Sequence, residues 1–226
     1  MRKPVIAIDG YSSTGKSSIS KIIAQRLGLV HMDTGALYRG ITYFAIKNCS
    51  DANANGTIDL ELLFSKLNEI KLRFEEVETE LVLFLNDSDI SKEIRSNEVS
   101  SQVSLIACQK EVRDFLMETQ RSIASNGGVI MDGRDIGTVV LPDADYKFFL
   151  TASIEERTKR RFLELQSMGM ESNEDEVRQN LITRDKIDST REVAPLKQAH
   201  DAILIDNSTL TKQETIALIL SYIKEF

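Results

Sequence analysis

The stretch from residue 10 to residue 17 combines residue types and spacing that suit phosphate chemistry. This phosphate loop matches the pattern G-x-x-x-x-G-K-[ST], precedes Ser18, and consists of Gly10, Tyr11, Ser12, Ser13, Thr14, Gly15, Lys16 and Ser17. It follows an apolar run and leads into a segment with helical spacing, the strand–loop–helix context that the pattern requires. Lys16 can reach the outer phosphates of a ligand, and the Ser17 hydroxyl can ligate magnesium. The pattern therefore predicts binding of a nucleoside triphosphate with Mg²⁺.

The phosphate loop does not by itself define a reaction, so residues outside it must separate three classes of protein. A GTP-binding switch needs an Asn-Lys-x-Asp sequence, and the chain contains no Asn-Lys pair. An ATP-driven motor usually has an acidic pair after a hydrophobic strand, whereas here Arg134 lies between the carboxylates of Asp132 and Asp135. The remaining class is a small phosphotransferase with a second, anionic substrate. Such an enzyme needs several arginines outside the loop to neutralise the acceptor.

Four arginines near expected strand ends and turns meet that requirement: Arg39, Arg134, Arg184 and Arg191. Taken singly, each of them also fits a solvated surface charge. Their joint occurrence favours the phosphotransferase. A nucleotide-sensing module without an acceptor stays open as an alternative of a different class, because it would share the phosphate loop.

Short apolar runs with strand character alternate with segments of helical spacing. The predicted strands are 5–8, 29–32, 129–131, 146–150 and 203–205. The predicted helices are 17–27, 36–47, 111–125, 154–166 and 211–223. Continuous apolar runs are typical of strands covered on both faces, and the alternation predicts parallel pairing. We expect an α/β fold of the P-loop NTPase type, with a parallel five-stranded sheet flanked by helices and an active site at the carboxyl ends of its strands.

Residues 51–100 interrupt this alternation. They open with a loop signal at 51–56 and a short helix at 58–67. Two strand-like runs, 71–75 and 80–85, follow with an acidic turn between them, and a second turn is predicted at 86–89. We interpret this segment as a small antiparallel sheet inserted into the core, which then consists of 1–50 and 101–226.

A second interruption covers residues from about 169 to 197. It is highly charged and polar, a composition that suits a mobile lid better than a core segment.

Composition limits the setting and the partners of this chain of 226 residues. A net charge of −7 disfavours sequence-independent binding to a nucleic acid polymer. No apolar run approaches the length of about 18 residues that a membrane span needs, and no signal peptide is visible, so we expect no membrane association. Cys49 and Cys108 match no metal or redox spacing, which favours buried thiols in a reducing cytoplasm. His31 and His200 are expected to be structural, and a monomer is expected.

Several longer strings share one resemblance. Outside the phosphate loop they are 33–39 (DTGALYR), 90–95 (ISKEIR), 132–140 (DGRDIGTVV), 142–144 (PDA) and 191–196 (REVAPL). In this order, over nearly the whole chain, they resemble the bacterial cytidylate kinases, the CMP kinase branch of the nucleoside monophosphate kinases. The resemblance implies an ATP-dependent transfer of the γ-phosphate to CMP or dCMP in pyrimidine nucleotide metabolism. It also implies that the inserted sheet is a monophosphate-binding region.

The resemblance assigns roles residue by residue. It implies that the cytosine edge is read by Ser104, Arg113 and Asp135. It implies that the sugar and phosphate are held, as the lid closes, by Arg184, Asp188 and Arg191. It implies that the acceptor phosphate is gripped by Arg39 and Arg134, in a pocket that Thr34 lines in place of a serine. Two further departures are Tyr11, where the family usually has proline, and Ser13, where a smaller residue is common.

The residue types alone leave other roles open at these positions. Asp135 can accept a hydrogen bond from the exocyclic amine of cytosine, which uracil lacks, but it can equally cap a helix or turn. Ser104 lies in a predicted helix at 103–107 and can be a surface serine, and Arg113 can be a helix-surface charge. Asp132 is our candidate for holding magnesium-bound waters, or else it is purely structural.

Arginines at helical spacing offer a cation to the donor nucleotide: Arg157, Arg160 and Arg161. At least one of them is expected only to pair with a glutamate on the same helix. The expected reaction is an in-line attack on ATP by the acceptor phosphate, which is already anionic and needs no general base. Within the enzymes, a phosphate-loop kinase acting on shikimate or dephospho-coenzyme A is the alternative.

Overall fold

The protein, analysed as a computed structural model, is described over residues 2–50, 57–77 and 80–224. It consists of two compact units, one formed by Met1–Asp33 with Gln120–Phe226 and the other by Thr34–Thr119. The predicted insertion at 51–100 falls within the second unit. The loop predicted at 51–56 and residues 78–79 of the predicted acidic turn lie outside the described residues.

Strands and helices alternate over residues 5–48, and further along the chain elements of the same kind also follow one another. The strands are β1 (Val5–Gly10), β2 (Val30–Asp33), β3 (Leu72–Val77), β4 (Glu80–Leu85), β5 (Ser88–Asp89), β6 (Val129–Gly133), β7 (Tyr146–Thr151) and β8 (Ile203–Asp206). The helices are α1 (Lys16–Leu27), α2 (Thr34–Asn48), α3 (Leu60–Lys66), α4 (Asn97–Ala107), α5 (Lys110–Ala124), α6 (Ile154–Ser167), α7 (Glu174–Thr190) and α8 (Lys212–Tyr222). A single π-helical turn, Ile136–Val140, follows β6.

The first unit is built on a parallel five-stranded sheet in the order β2-β6-β1-β7-β8. Strand β1 is central and every one of its residues is buried, as the continuous apolar run predicts. Its last residues are level with the ends of both neighbours, since Asp9 lies opposite Gly133 of β6 and Phe149 of β7. The predicted five-stranded sheet is confirmed, and its carboxyl edge collects the loops that follow β1, β6 and β7.

One hydrophobic core holds this sheet against its helices. It contains Ile6, Ile8, Ile19, Ile23, Ala24, Leu29, Ile130, Phe148, Leu150, Ile205, Ile216 and Ile219, contributed by four strands, by α1 and the residues after it, and by α8. Burial of these aliphatic side chains stabilises the unit by about 1.5–3 kcal/mol for each large residue. The core fixes α1, and therefore the phosphate loop at the N-terminus of α1, to the central strand.

Side-chain caps define where the later helices begin. The Ser153 hydroxyl accepts a hydrogen bond from the Glu156 amide at the start of α6. Thr211 and Glu214 form a reciprocal capping box at the start of α8. None of the helices in the described part of the chain is long and apolar enough to cross a membrane.

The polar segment at 169–197, predicted as a mobile lid, contains the 17-residue helix α7. The Asn173 side chain caps it by accepting from the backbone amides of the first turn. Val177 and Leu181 of α7 pack against Leu165 of α6, so this part of the segment has a small core of its own. The lid motion itself stays a prediction.

The second unit combines a small antiparallel sheet, in the order β3-β4-β5, with helices that include α2 and α4. The predicted antiparallel sheet is confirmed, but β5 lies where only a turn was predicted, because two exposed residues carry no apolar pattern. Helix α2 approaches the sheet closely at Gly40, where a Cβ atom would lie 2.9 Å from Leu72 Cδ2. Any larger residue there must displace that side chain.

Candidate active site

The phosphate loop joins the end of β1 to α1, and its first glycine is required by its surroundings. Gly10 has φ 147°, and a Cβ atom there would lie 2.0 Å from the carbonyl oxygen of Leu150 in β7. Only glycine allows the chain to leave β1 at this point. The Tyr11 amide then donates to the same carbonyl, at 3.3 Å. The neighbouring strand therefore fixes the start of the loop.

The side chain of Lys16 folds back onto the phosphate loop. Its Nζ donates to the Tyr11 carbonyl at 2.7 Å, and the Thr14 hydroxyl donates to the same oxygen at 3.0 Å. Burial, with a further contribution from the positive charge of Arg134, lowers the pKa of Lys16 to about 7. A phosphate beside Lys16 would restore its charge, so this ammonium group is suited to an anionic ligand.

The backbone of Ser13 has an unfavourable conformation for a residue with a side chain. Its φ is 61°, in the left-handed region that favours glycine. The loop keeps its hydrogen bonds in spite of this strain.

Ser17 at the start of α1, Asp132 near the carboxyl end of β6 and His31 within β2 lie in contact. The Ser17 hydroxyl donates to Asp132 Oδ2 at 2.6 Å, and His31 Nε2 lies 2.6 Å from Asp132 Oδ1. The contact of His31 was not expected from the sequence, since its partner lies 101 residues away. Hydroxyl and carboxylate oxygens are hard ligands of the kind that Mg²⁺ prefers, so these two groups fit a magnesium site.

A magnesium ion at this place would complete its shell with phosphate oxygens and water. Across residues 2–50, 57–77 and 80–224, no group of three or more His, Cys, Asp or Glu side chains is arranged to hold a metal ion. Few protein ligands are typical of magnesium bound together with a nucleotide.

The arginines of α6 differ in their partners. Arg157 is buried and donates to the Ser12 carbonyl of the phosphate loop at 3.4 Å. Arg160 donates to the side chain and carbonyl of Asn207, at 3.0 and 2.7 Å, and Asn207 in turn donates to the Thr14 carbonyl at 2.9 Å.

Arg161 pairs with Glu164 on the same helix at 2.8 Å, as expected for one member of the group. Asn207, which the sequence analysis did not single out, supports the phosphate loop through its hydrogen bond to the Thr14 carbonyl.

A cluster of alternating charges joins the residues after β6 to α7. We call it the α7 cluster, and it consists of Arg134, Asp135, Arg184, Asp188 and Arg191. Arg134 donates to Asp188 at 3.0 Å and to the Ser12 hydroxyl at 3.1 Å, and Arg191 donates to Asp135 at 3.3 Å. The structure therefore brings together five predicted substrate residues, and one of them, Arg134, contacts the phosphate loop.

Asp188 is the charge centre of the α7 cluster. Burial alone would raise its pKa, but the guanidinium groups of Arg134, Arg184 and Arg191 outweigh burial and hold that pKa below its ordinary value. Asp188 is therefore ionised at neutral pH.

The side chain of Asp135 makes no capping hydrogen bond to the π-helical turn that follows it. Asp135 therefore does not cap this helical turn. Asp9 holds this turn instead, by accepting from the amides of Ile136 and Gly137, each at 2.8 Å. Burial raises the pKa of Asp9 to about 7, although these two hydrogen bonds lower it. Asp9 was missed because its partners lie 127 and 128 residues further along the chain.

In the second unit, Arg39 and Arg113 are held in place by their neighbours. Arg39 donates to the Ile94 carbonyl at 3.1 Å and to the Ser100 hydroxyl at 2.9 Å. Arg113 donates to the Ala107 carbonyl at 3.1 Å and lies 5.4 Å from the centroid of the Tyr38 ring.

Several predicted residues of the second unit are buried: Thr34, Ser104 and Arg113. The surface interpretations of Ser104 and Arg113 are therefore wrong.

A phosphate loop at the end of the central strand of a parallel sheet, with Lys16, Ser17 and Asp132 in place, defines the class of P-loop nucleotide-binding proteins. Within that class the match is specific, because the sequence model of cytidylate kinase matches residues 6–225. The chain belongs to the cytidylate kinase family.

Individual relatives agree with this family. A cytidylate kinase of Bacillus cereus is 43% identical over 218 residues, which cover 96% of this chain and 95% of that protein. A cytidylate kinase of Bacillus anthracis is 42% identical with the same coverage. Among solved structures, an uncharacterized protein from Eubacterium ventriosum matches with a TM-score of 0.51 at 12% identity, covering 97% of each chain. This last likeness concerns the fold alone.

Proposed function

We propose that this chain is a CMP kinase, which transfers the γ-phosphoryl group of ATP to CMP or dCMP and releases ADP and CDP or dCDP. The observation that carries the proposal is the contact of Arg134 with both Ser12 of the phosphate loop and Asp188 of α7. One guanidinium group thereby connects the donor loop to a second set of charged residues, as a transfer between two anions requires. The family of the chain supports CMP as the acceptor.

On the donor side, the backbone of residues 10–18 and the Lys16 ammonium group bind the phosphates of ATP. Arg157 supplies a buried guanidinium beside the loop, whereas Arg161 is paired with Glu164. Ser17 and Asp132 would hold Mg²⁺. The ion would neutralise negative charge on the phosphates of ATP.

On the acceptor side, Asp135 accepts a hydrogen bond from the exocyclic amine of cytosine. Uracil offers a carbonyl oxygen there, and an unmatched buried polar group costs about 1–3 kcal/mol. The family resemblance adds Ser104 and Arg113 to the base, and Thr34 and Arg39 to the phosphate. Arg184, Asp188 and Arg191 bind the sugar and phosphate.

The chemistry is a displacement in line, with positioning and charge stabilisation as its sources of catalysis. The attacking phosphate oxygen is already anionic, so no side chain has to remove a proton. Arg134 and Arg191 are now paired with Asp188 and Asp135, and they stabilise developing charge when their guanidinium groups reach the transferring phosphoryl group. Closure of the 169–197 segment excludes water that would otherwise hydrolyse ATP.

The proposal extends to a monomeric enzyme of the cytoplasm. The free thiols of Cys49 and Cys108 suit a reducing compartment.

A coupled assay of ADP release with a panel of acceptors tests the proposed function. The panel contains CMP, dCMP, UMP, AMP, shikimate and dephospho-coenzyme A, each with ATP and Mg²⁺. We expect the largest kcat/KM with CMP or dCMP and a value at least about tenfold lower with UMP. A preference for shikimate or dephospho-coenzyme A, or ATP binding with no acceptor at all, would contradict the proposal.

A further inference from the structure

The ring of Tyr11, in the phosphate loop, contacts two other side chains. It meets Phe149 edge to face, with 5.9 Å between the centroids and an interplanar angle of 88°. The Arg157 guanidinium lies over the same ring, 5.2 Å from its centroid. An arginine over an aromatic face at this distance is a favourable cation–π contact.

Arg157 is buried and has several partners besides the ring. It donates to the Ala152 carbonyl at 2.9 Å, to the Ser12 carbonyl at 3.4 Å, and to Asp185 of α7 at 2.5 Å. A buried guanidinium needs such partners, because burial removes its hydration. Tyr11 and Ser12 belong to the phosphate loop, so the loop itself holds this cation.

We infer that Tyr11 is a positioning residue for the donor nucleotide: its ring holds the Arg157 guanidinium against the phosphate loop. This inference rests on the proposed function, since it assigns Arg157 to the ATP and ADP site. Phe149 packs against the Tyr11 ring and limits its rotation, and Asp185 holds Arg157 from α7. Arg157 therefore occupies a defined place before the nucleotide binds, which lowers the entropy lost on binding.

The direct test is calorimetric titration with MgADP, without any acceptor. Tyr11→Leu removes the ring face, and we expect the dissociation constant to rise about three- to tenfold, as loss of a cation–π contact predicts. Tyr11→Phe keeps the face and is expected to recover most of that affinity. The KM for CMP at saturating ATP stays unchanged in both variants. An unaltered affinity in Tyr11→Leu would overturn the inference.

A double-mutant cycle separates positioning from general damage to the fold. In an Arg157→Met background, Tyr11→Leu should cause no further loss of MgADP affinity, because the cation that it positions is absent. Full additivity of the two losses would overturn the inference. If Tyr11→Leu unfolds, Tyr11→Met retains bulk against Phe149 and takes its place in the cycle.

The second unit offers a matched control. Arg73 also lies 5.2 Å from an aromatic centroid, that of Phe84 in β4. Phe84→Leu removes a ring of the same size and is expected to leave MgADP affinity within twofold of wild type. An equal loss in this control would count against the inference.

The inference and the proposed function fail separately. A wild-type protein that binds no MgADP, or phosphorylates no CMP, refutes the proposed function. A wild-type protein that does both, with Tyr11→Leu indistinguishable from it, refutes the positioning role alone.

Discussion

The phosphate loop and the α7 cluster lie side by side, but their contacts are of opposite kinds. In the loop, the Tyr11 carbonyl accepts from Thr14 and Lys16, which are three and five residues away. In the α7 cluster, the pairs Arg134–Asp188 and Asp135–Arg191 join residues that are 54 and 56 positions apart. The first site is organised largely by contacts among neighbouring residues of one short loop, with further support from Arg157 and Asn207, whereas the second is organised by charged side chains from distant parts of the chain.

This difference has a functional consequence. The phosphate loop is held by several separate contacts, including the hydrogen bond of the Tyr11 amide to β7, so replacing one side chain there is expected to affect chemistry more than stability. A cluster of buried charges depends on each member, because removal of one partner leaves another charge without compensation. Changes in the α7 cluster are therefore expected to affect stability and acceptor recognition together.

The largest expected effect is that of Lys16→Ala. It removes the ammonium group that we propose contacts the β- and γ-phosphates, and we expect kcat to fall by roughly a thousandfold. The melting temperature should stay within a few degrees of wild type, because the loop backbone is unchanged. Measurement of kcat and thermal unfolding checks both expectations. Lys212→Ala, on the exposed start of α8, is the matched control, and retained turnover in Lys16→Ala would contradict the loop assignment.

Asp188→Asn, in contrast to Lys16→Ala, should reduce the stability of the fold. It leaves the surrounding guanidinium groups without their carboxylate, and we expect a loss of about 2 kcal/mol in the free energy of unfolding. Chemical denaturation measures this loss. Asp175→Asn, at an exposed position of the same helix, should change stability by less than about 0.5 kcal/mol. Equal stability of Asp188→Asn and wild type would show that the α7 cluster is not structural.

The pH dependence of that loss gives a further test. The pKa of Asp188 is lower in the folded protein than its ordinary value of about 3.9, because the guanidinium groups outweigh the effect of burial. Its stabilising contribution is therefore fully present above about pH 4 and is lost as the pH falls through the folded-state pKa. The stability difference between wild type and Asp188→Asn should narrow as the pH falls below about 4. A constant difference over this range would mean that another interaction is responsible.

The smallest effect expected is a change of specificity. Asp135→Ala should reduce the preference for CMP over UMP by about tenfold, since the proposed acceptor for the cytosine amine is lost. The KM for ATP should change less than this ratio. Steady-state kinetics with both acceptors measures it, with the exposed Asp143→Ala as control. An unaltered ratio would place base recognition elsewhere.

The same contrast explains what the sequence could predict. The phosphate loop, the parallel strands and the helices around them follow local patterns, and their predicted limits agree with the structure to within a few residues. Helix α7 was predicted only as part of a polar lid. It buries few apolar residues, among them Val177 and Leu181, so its sequence shows no clear apolar face.

Side-chain contacts between distant residues were harder to predict. The contacts of Asp9 with Ile136 and of His31 with Asp132 join positions that are 127 and 101 residues apart, and no local sequence pattern indicates them. Strand order brings them together, and a single sequence does not contain that order explicitly.

The most direct measurement follows the phosphoryl group itself. ATP carrying radioactive phosphorus at the γ-position is incubated with CMP, Mg²⁺ and the protein, and the products are separated by chromatography. The proposed transfer predicts that the label appears in CDP at the rate of ADP formation, and that Lys16→Ala abolishes it. Label that appears as inorganic phosphate, or that remains in ATP while CMP is present, would contradict the account.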